Sequence, residues 1–240
     1  MVFRRRLNRR PRRRVNRRRR FAKRPSRALG VPRRTMMVNP SRSLVPARYR
    51  TKMVYSQVYN TSTNGVGILW NQWAMNGLYD PDLTATGHQP MGFDQLCPTL
   101  YSTYAVRGCK VVLEGRFRTG NPSNEFVGNV IIGGTPTGVA LPSSIDVCNE
   151  SRHYYTYTRD DTKHFRISKY FDVATVLGVP RSKVNTEISY AGTNAANPIN
   201  TNLVNIGFIG MVPSFIVNIQ YTITLVYYVD FYSPTILTQS

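Results

Sequence analysis

The first 52 residues carry 21 basic side chains, 19 of them arginine, and no acid. Like charges at this density repel one another, and the few apolar residues among them bury too little to offset the entropy of ordering the chain. Residues 1–34 are the extreme case. Seventeen of these 34 are basic, and the interruptions Phe3, Leu7, Val15 and Phe21 follow no helical stripe. The segment is predicted to be a disordered arm, with residues 35–50, which include Pro40 and Pro46, as a linker. Folding is left to residues 51–240, which are expected to form one domain. From residue 53 onward there are 11 basic and 12 acidic side chains, so a body of net charge −1 follows a tail of +21.

From residue 51 the hydrophobic period changes to two. The runs 51–59, 66–75, 105–118, 126–132, 153–158, 163–171, 203–212 and 216–232 are rich in Val, Ile, Thr, Tyr and Phe. Gly, Asn, Pro and Ser separate them, as at Asn64-Gly65 and Asn121-Pro122-Ser123. No period of 3.6 is sustained, so eight strands and an all-β sandwich or jelly roll are expected. In 51–59, Met53, Tyr55 and Gln57 fall on one face. Two short helices are predicted, at 93–101, curtailed by Pro98, and at 172–177, with Asp172 as N-cap and Gly178 as the stop. The long connections are expected at 76–103, 133–152 and 185–202, with a turn at 119–125.

An acid-free, arginine-dominated tail points to an acidic polymer. Arginine stays charged, grips phosphate oxygens in pairs and stacks on bases, which favours nucleic acid as the partner. The candidate nucleic-acid-binding residues are Arg4, Arg5, Arg6, Arg9, Arg10, Arg12, Arg13, Arg14, Arg17, Arg18, Arg19, Arg20, Lys23, Arg24, Arg27, Arg33 and Arg34. Phosphate contacts of this kind give affinity without sequence preference and a steep dependence on salt. The blocks Arg4, Arg5, Arg6, then Arg12, Arg13, Arg14, then Arg17, Arg18, Arg19, Arg20 also match the pattern of a nuclear localisation signal.

Enzyme signatures are weak. His88, His153 and His164 are far apart, and no C-x-x-C, H-x-x-x-H or H-E-x-x-H occurs. Asp160-Asp161 and Asp80-Pro81-Asp82 read as polar turns before they read as cation sites. Gly133-Gly134 and Gly207/Gly210 match no phosphate-cradling loop, and Gly-x-Ser-x-Gly is missing. No enzymatic activity, metal or cofactor is expected. Cys97, Cys109 and Cys148 are odd in number and lack zinc spacing, so neither a disulfide framework nor a zinc site is expected, and a reducing compartment fits better. No apolar run reaches 18 residues and the N-terminus has no apolar signal region, so neither membrane insertion nor secretion is expected. The sequons at Asn60 and Asn149 read as chance. The aromatics Trp70, Trp73, Tyr154, Tyr155 and Tyr157 are assigned to the core first and to subunit contacts second.

Four features together resemble the capsid proteins of circoviruses and circovirus-like circular single-stranded DNA viruses. The order is an Arg-rich start followed by a neutral β body. The segment 87–117 contains Pro90, Gly92, Phe93, Asp94 and Gln95, then Tyr101, Tyr104 and Val106 leading into a long strand. A strand followed by a short helix spans 163–178, and the chain closes on the aromatic strand 223–234. The resemblance implies an eight-stranded jelly roll, strands B to I in two four-stranded antiparallel sheets. It also implies self-assembly into a T=1 icosahedral shell around circular single-stranded DNA, with a nuclear localisation signal in the arm. The location implied is the virion, and the host nucleus during assembly; the partners implied are the genome, further copies of the chain, the host nuclear import machinery and an unidentified host attachment factor. With ~60 copies, the arms would bring on the order of 1,300 positive charges, enough to neutralise roughly 1.3 kb directly, and a genome of ~1.5–2.5 kb is expected. Two other readings stay open: the coat protein of a small single-stranded RNA virus or satellite, and a cellular nucleic-acid-binding β-barrel with a basic tail. The second would usually spread Lys and Arg over its folded surface.

Overall fold

The computed structural model describes residues 45–63, 67–84, 87–119, 127–160, 164–210 and 216–235. The seventeen arm residues named above lie outside the described residues, and so do the expected turns at 64–65 and 121–123.

Eight strands are present: β1 (Arg48–Ser62), β2 (Leu69–Ala74), β3 (Tyr101–Thr119), β4 (Val127–Pro136), β5 (Tyr154–Asp160), β6 (Phe165–Asp172), β7 (Asn202–Gly210) and β8 (Val217–Pro234). They form two antiparallel four-stranded sheets, in the orders β1-β8-β3-β6 and β2-β7-β4-β5. With β1 to β8 taken as B to I, these are the B-I-D-G and C-H-E-F sheets of a jelly roll. The fold expected from the sequence is the fold observed.

Strict alternation explains the first sheet. In β8, Ile219, Tyr221, Ile223, Leu225, Tyr227, Val229 and Phe231 are buried, and the residues between them, Asp230 excepted, are at least partly accessible. β1 buries Met53 and Tyr55 in the same way, with Gln57 half-buried on that face as expected. The inward faces of the two sheets meet at an aromatic cluster. Phe208 of β7 lies 4.9 Å from the Tyr221 ring and edge-on to Phe117, 6.4 Å away between centroids. Trp73 of β2 donates its indole N–H to the Tyr59 hydroxyl at 3.1 Å, and Tyr227 donates its hydroxyl to the carbonyl of Ala74, tying the sheets together at 2.9 Å.

Several boundaries differ from the expectation, each for a visible reason. β1 begins at Arg48 rather than 51, because its pairing with β8 continues to Tyr232 and the added residues set Arg48 and Arg50 on the outward face, beside an acid. β4 runs through Gly133 and Gly134 to Pro136, so the following connection starts later than 133. A side chain at Gly133 would collide with the Tyr154 ring, and one at Gly134 would press on Met75 and Phe171. These glycines mark close packing inside a strand, whereas the sequence reading placed them in the connection that follows it. The first helix, α1 (Phe93–Leu96), stops before Pro98 and is shorter than 93–101. Two helices were not anticipated, α2 (Ile145–Glu150) and α4 (Arg181–Thr186), each too short to establish a period. The connection expected at 185–202 therefore opens inside α4 and continues through a 3₁₀ turn at Ile188–Tyr190. Between α2 and α4 lies α3 (Val173–Leu177), which has the caps read from the sequence. Asp172 accepts from the Thr175 amide at 3.0 Å, and Gly178 closes the helix at φ 69°.

Two substitutions test this packing. Phe208→Ala should lower unfolding stability by about 3–5 kcal/mol, the cost of a large cavity in an aromatic cluster. Gly115→Ala should cost about 1–3 kcal/mol, since a Cβ there would sit 2.7 Å from Tyr221 Cβ and 2.8 Å from the backbone oxygen of Gln220. Urea titration followed by tryptophan fluorescence reads both; losses below about 1 kcal/mol at both positions would contradict the register and core described.

Candidate nucleic-acid interface

The arm joins the body at β1, and the first outward-facing side chains of that strand are themselves basic. Arg48 and Arg50 converge on Asp230 of β8, directly across the ladder from Arg50. Arg48 bonds one carboxylate oxygen, and Arg50 Nε donates to the other at 2.8 Å. A third cation arrives from β3. The pairing of β3 with β8 slips between Val106 and Gly108, a bulge that leaves Arg107 as the extra residue. Its Nε lies 2.9 Å from the Asp230 carboxylate. Three chain segments distant in sequence are thereby joined at one buried acid.

Asp230 is fully buried, while its three arginines keep between a third and 60% of their side chains exposed. Burial by itself would raise the carboxyl pKa. The hydrogen bonds from Arg50 and Arg48 and the charge of Arg107 outweigh it, so the carboxyl is held below the ordinary value of 3.8. A lone acid inside the aromatic run 227–232 was the signal for this cluster, and the sequence reading passed over it.

Beyond Arg107 the surface dips into a cavity of about 260 Å³ between β3, β6, α3 and α4. Arg107, Arg181, Tyr170, Tyr228 and Asn185 line it, and Asp172, also on its wall, pairs with Arg181 at 2.9 Å. The Tyr170 and Tyr228 rings meet edge-on at 5.6 Å.

At another part of the body, the connections following β2, β4 and α4 surround a cavity of about 520 Å³ whose walls include Leu83, Val139, Leu141 and Ile199. Leu83, Val139 and Ile199 are exposed by 42%, 48% and 84%, an apolar concentration of the kind that subunit contacts cover.

The remaining candidates have structural partners. His88 packs on Tyr55, 4.8 Å between ring centroids, while His153 and His164 lie apart at the ends of strands. Asp82 is buried and accepts from the Tyr59 hydroxyl at 2.5 Å and from the Thr84 amide and hydroxyl. Among the described residues, no three His, Cys, Asp or Glu side chains gather as a metal site, and no helix is long and apolar enough to cross a membrane. The three cysteines are buried as free thiols. Trp73 is core, Trp70 and Tyr157 are partly buried, and Tyr155 is 38% exposed, so the aromatics divide between interior and surface.

No protein-family model matches the chain, and no curated protein sequence matches it. Solved viral structures are similar to it at low identity. The structure of cocksfoot mottle virus has a TM-score of 0.47 at 8% identity, over 78% of this chain and 96% of that one. A crystal structure of decameric BFDV capsid protein has a TM-score of 0.43 at 12% identity, over 78% and 99%. That of Desmodium yellow mottle tymovirus has a TM-score of 0.35 at 10% identity, over 82% and 98%.

The Asp230 cluster predicts a defined pH response. A carboxyl whose folded pKa is depressed adds stability that is fully present above its unfolded pKa and is lost as pH falls through the folded value. Asp230→Asn should therefore destabilise the body by about 2 kcal/mol at pH 7, below the usual cost of breaking a buried pair because the arginines left behind reach solvent. The difference from the unsubstituted chain should shrink below pH 4, as urea titrations across pH would register. A pH-independent difference would assign the loss to packing alone.

Proposed function

We propose that this chain is a viral capsid subunit that assembles with copies of itself and packages single-stranded nucleic acid through its arginine-rich arm. The observation that carries the reading is a jelly roll of net charge +2, from Arg48 onward, joined at its first strand to an acid-free tail of +18. A body that folds without the arm's charge, and an arm that needs a polyanion to offset its repulsion, divide the work of shell and packaging. The exposed Leu83, Val139 and Ile199 supply apolar surface for contacts between copies. No catalysis is required of such a subunit. The arm residues from Arg4 to Arg34 are the proposed phosphate contacts, and the blocks at 4–6, 12–14 and 17–20 the proposed nuclear localisation signal.

The packaged polymer is DNA in the reading that the 87–117 segment supports. An arm of phosphate contacts suits either polymer, so the coat protein of a small single-stranded RNA virus is the second reading.

Expression of the full chain should yield closed particles by electron microscopy and sedimentation, containing nuclease-protected nucleic acid. Extracted from the particles, that polymer should be digested by DNase and survive RNase; the reverse establishes the RNA reading. A chain starting at Val45 should lose the protected nucleic acid. Monomers from both chains, at low and high salt and with single-stranded DNA supplied, would overturn the capsid reading in favour of a cellular binding protein. Residues 1–34 fused to a fluorescent protein should concentrate it in the nucleus, and substituting Arg17, Arg18, Arg19 and Arg20 by Ala should weaken that accumulation.

A further inference from the structure

The folded body, from Arg48 onward, has a net charge of only +2, which conceals a separation between its two sheets. On the outward face of the first sheet, β1 presents Arg48, Arg50 and Lys52, and β3 presents Arg107, Lys110, Arg116 and Arg118. β6 adds Arg166, which bonds Glu114 of β3 across the same face at 3.1 Å. Asp230 and Glu114 are the opposing carboxylates, leaving a net of +6; Asp172, at the end of β6, is matched by Arg181. Five of the eleven cations beyond residue 52 lie on this one face.

The outward face of the second sheet is built differently. β7 and β4 present Leu203, Asn205 and Ile209, then Asn129, Ile131 and Thr135, and side-chain hydrogen bonds such as Asn205 to Thr135 at 2.8 Å link them. Its one charged residue among those described is Asp160, at the end of β5. The chain itself covers part of this face. Cys148 of α2 packs on Ile131 and Tyr154, and Trp70 donates to the Pro142 carbonyl at 3.0 Å. Among the described residues, α3 and α4 border the Arg107 end of the basic face, and Val54 and Val58 on it are exposed by 49% and 59%.

We infer that the outward face of the β1-β8-β3-β6 sheet is a second nucleic-acid surface, binding the sugar-phosphate backbone of a single strand and turned toward the interior of the assembly. The inference rests on the packaging reading and adds to it a site on the folded body and an orientation of the subunit. Charge complementarity selects the partner. Cations in rows along β1 and β3 offer a track for a phosphate chain, because alternate residues of one strand lie on the same face. Aromatic surface lies among them: Tyr228 sits beneath the Lys52 ammonium at 5.2 Å and, with Tyr170, borders the cavity that Arg107 and Arg181 flank. Cations beside the exposed Tyr170 and half-buried Tyr228 rings provide phosphate contact and base stacking together. The chain that follows the arm begins on this face, with Arg48, Arg50 and Lys52 of β1.

Photocrosslinking of the full chain to bromodeoxyuridine-substituted single-stranded DNA, with peptides mapped by mass spectrometry, tests the site. Crosslinks are expected on the arm and on peptides of β3 and β8 that include Tyr228, and not on β4 or β7. In parallel, the full-length Lys110→Gln, Arg116→Gln, Arg118→Gln variant should bind oligo(dT) with a slope of log affinity against log salt reduced by about 2, three phosphate contacts at the single-strand value. Arg152→Gln with Arg159→Gln, cations off this face, should leave the slope unchanged, and circular dichroism verifies that both variants fold. Crosslinks confined to the arm, with the slope unaltered by the triple substitution, would overturn this inference and leave packaging by the arm standing. That pattern accompanied by loss of particles would give the face to a second copy of the chain instead. Crosslinks on neither arm nor face would overturn both readings.

Discussion

Burial of the inward side of β8 is the constraint on which the rest of the molecule depends. This strand lies between β1 and β3, and seven of its alternate residues from Ile219 to Phe231 are removed from water. Each such side chain contributes about 1.5–3 kcal/mol when fully buried. Moving either neighbour by one residue would turn its own apolar set to solvent, so the alternation fixes three strands at once. β1 is thereby held in line as far as Arg48, and the arm leaves the body from a defined place. The slip in β3 at Arg107 is accommodated within the same frame: the bulge turns two consecutive residues, Arg107 and Gly108, to one face, and inward alternation resumes at Cys109.

The features legible in the sequence were those with a period. The strands could be found because runs of Val, Ile, Tyr and Phe, alternating as in β1 and β8 or continuous as in β4 and β7, are bounded by turn residues, and α3 because Asp172 and Gly178 are capping residues with a local mechanism. The features not legible depend on contacts remote in sequence. Gly133 and Gly134 belong inside β4 because the rings of Tyr154 and Phe171 occupy the space a side chain would need, and those residues lie about twenty and nearly forty positions away. α4 follows Pro180, which reads as a stop for α3 and serves as the N-cap of the next helix. Asp230 was hidden for the same reason: its importance comes from Arg48 and Arg107, which only strand pairing brings to it.

Charge shows how far an average can mislead at two scales. Over the whole chain, +20 hides an acid-free tail on a neutral body. Over the body, from Arg48 onward, +2 hides a cationic sheet face and acids placed elsewhere, such as Asp80 in a connection, Asp94 in α1 and Asp146 in α2. The second separation was available in part, since Lys110, Arg116 and Arg118 share one parity in a run whose other parity is apolar, but the adjoining cations of β1 and β6 enter the pattern only through pairing.

The two separations bear on assembly together. Charges of one sign on a face repel those on neighbouring copies when such faces are gathered within a few Debye lengths, each about 10 Å at 0.1 M salt. A shell with these faces turned inward raises its own electrostatic cost as it closes, unless a polyanion enters with it. Asp230 bears on this balance locally: by neutralising part of the charge of Arg48, Arg50 and Arg107, it lets β1 dock beside β8 with cations at the root of the arm. The pairing that docks β1 is internal to each body, while the charge that a polyanion would offset lies on its outward face, and the division follows from where one strand alternation places its charged residues.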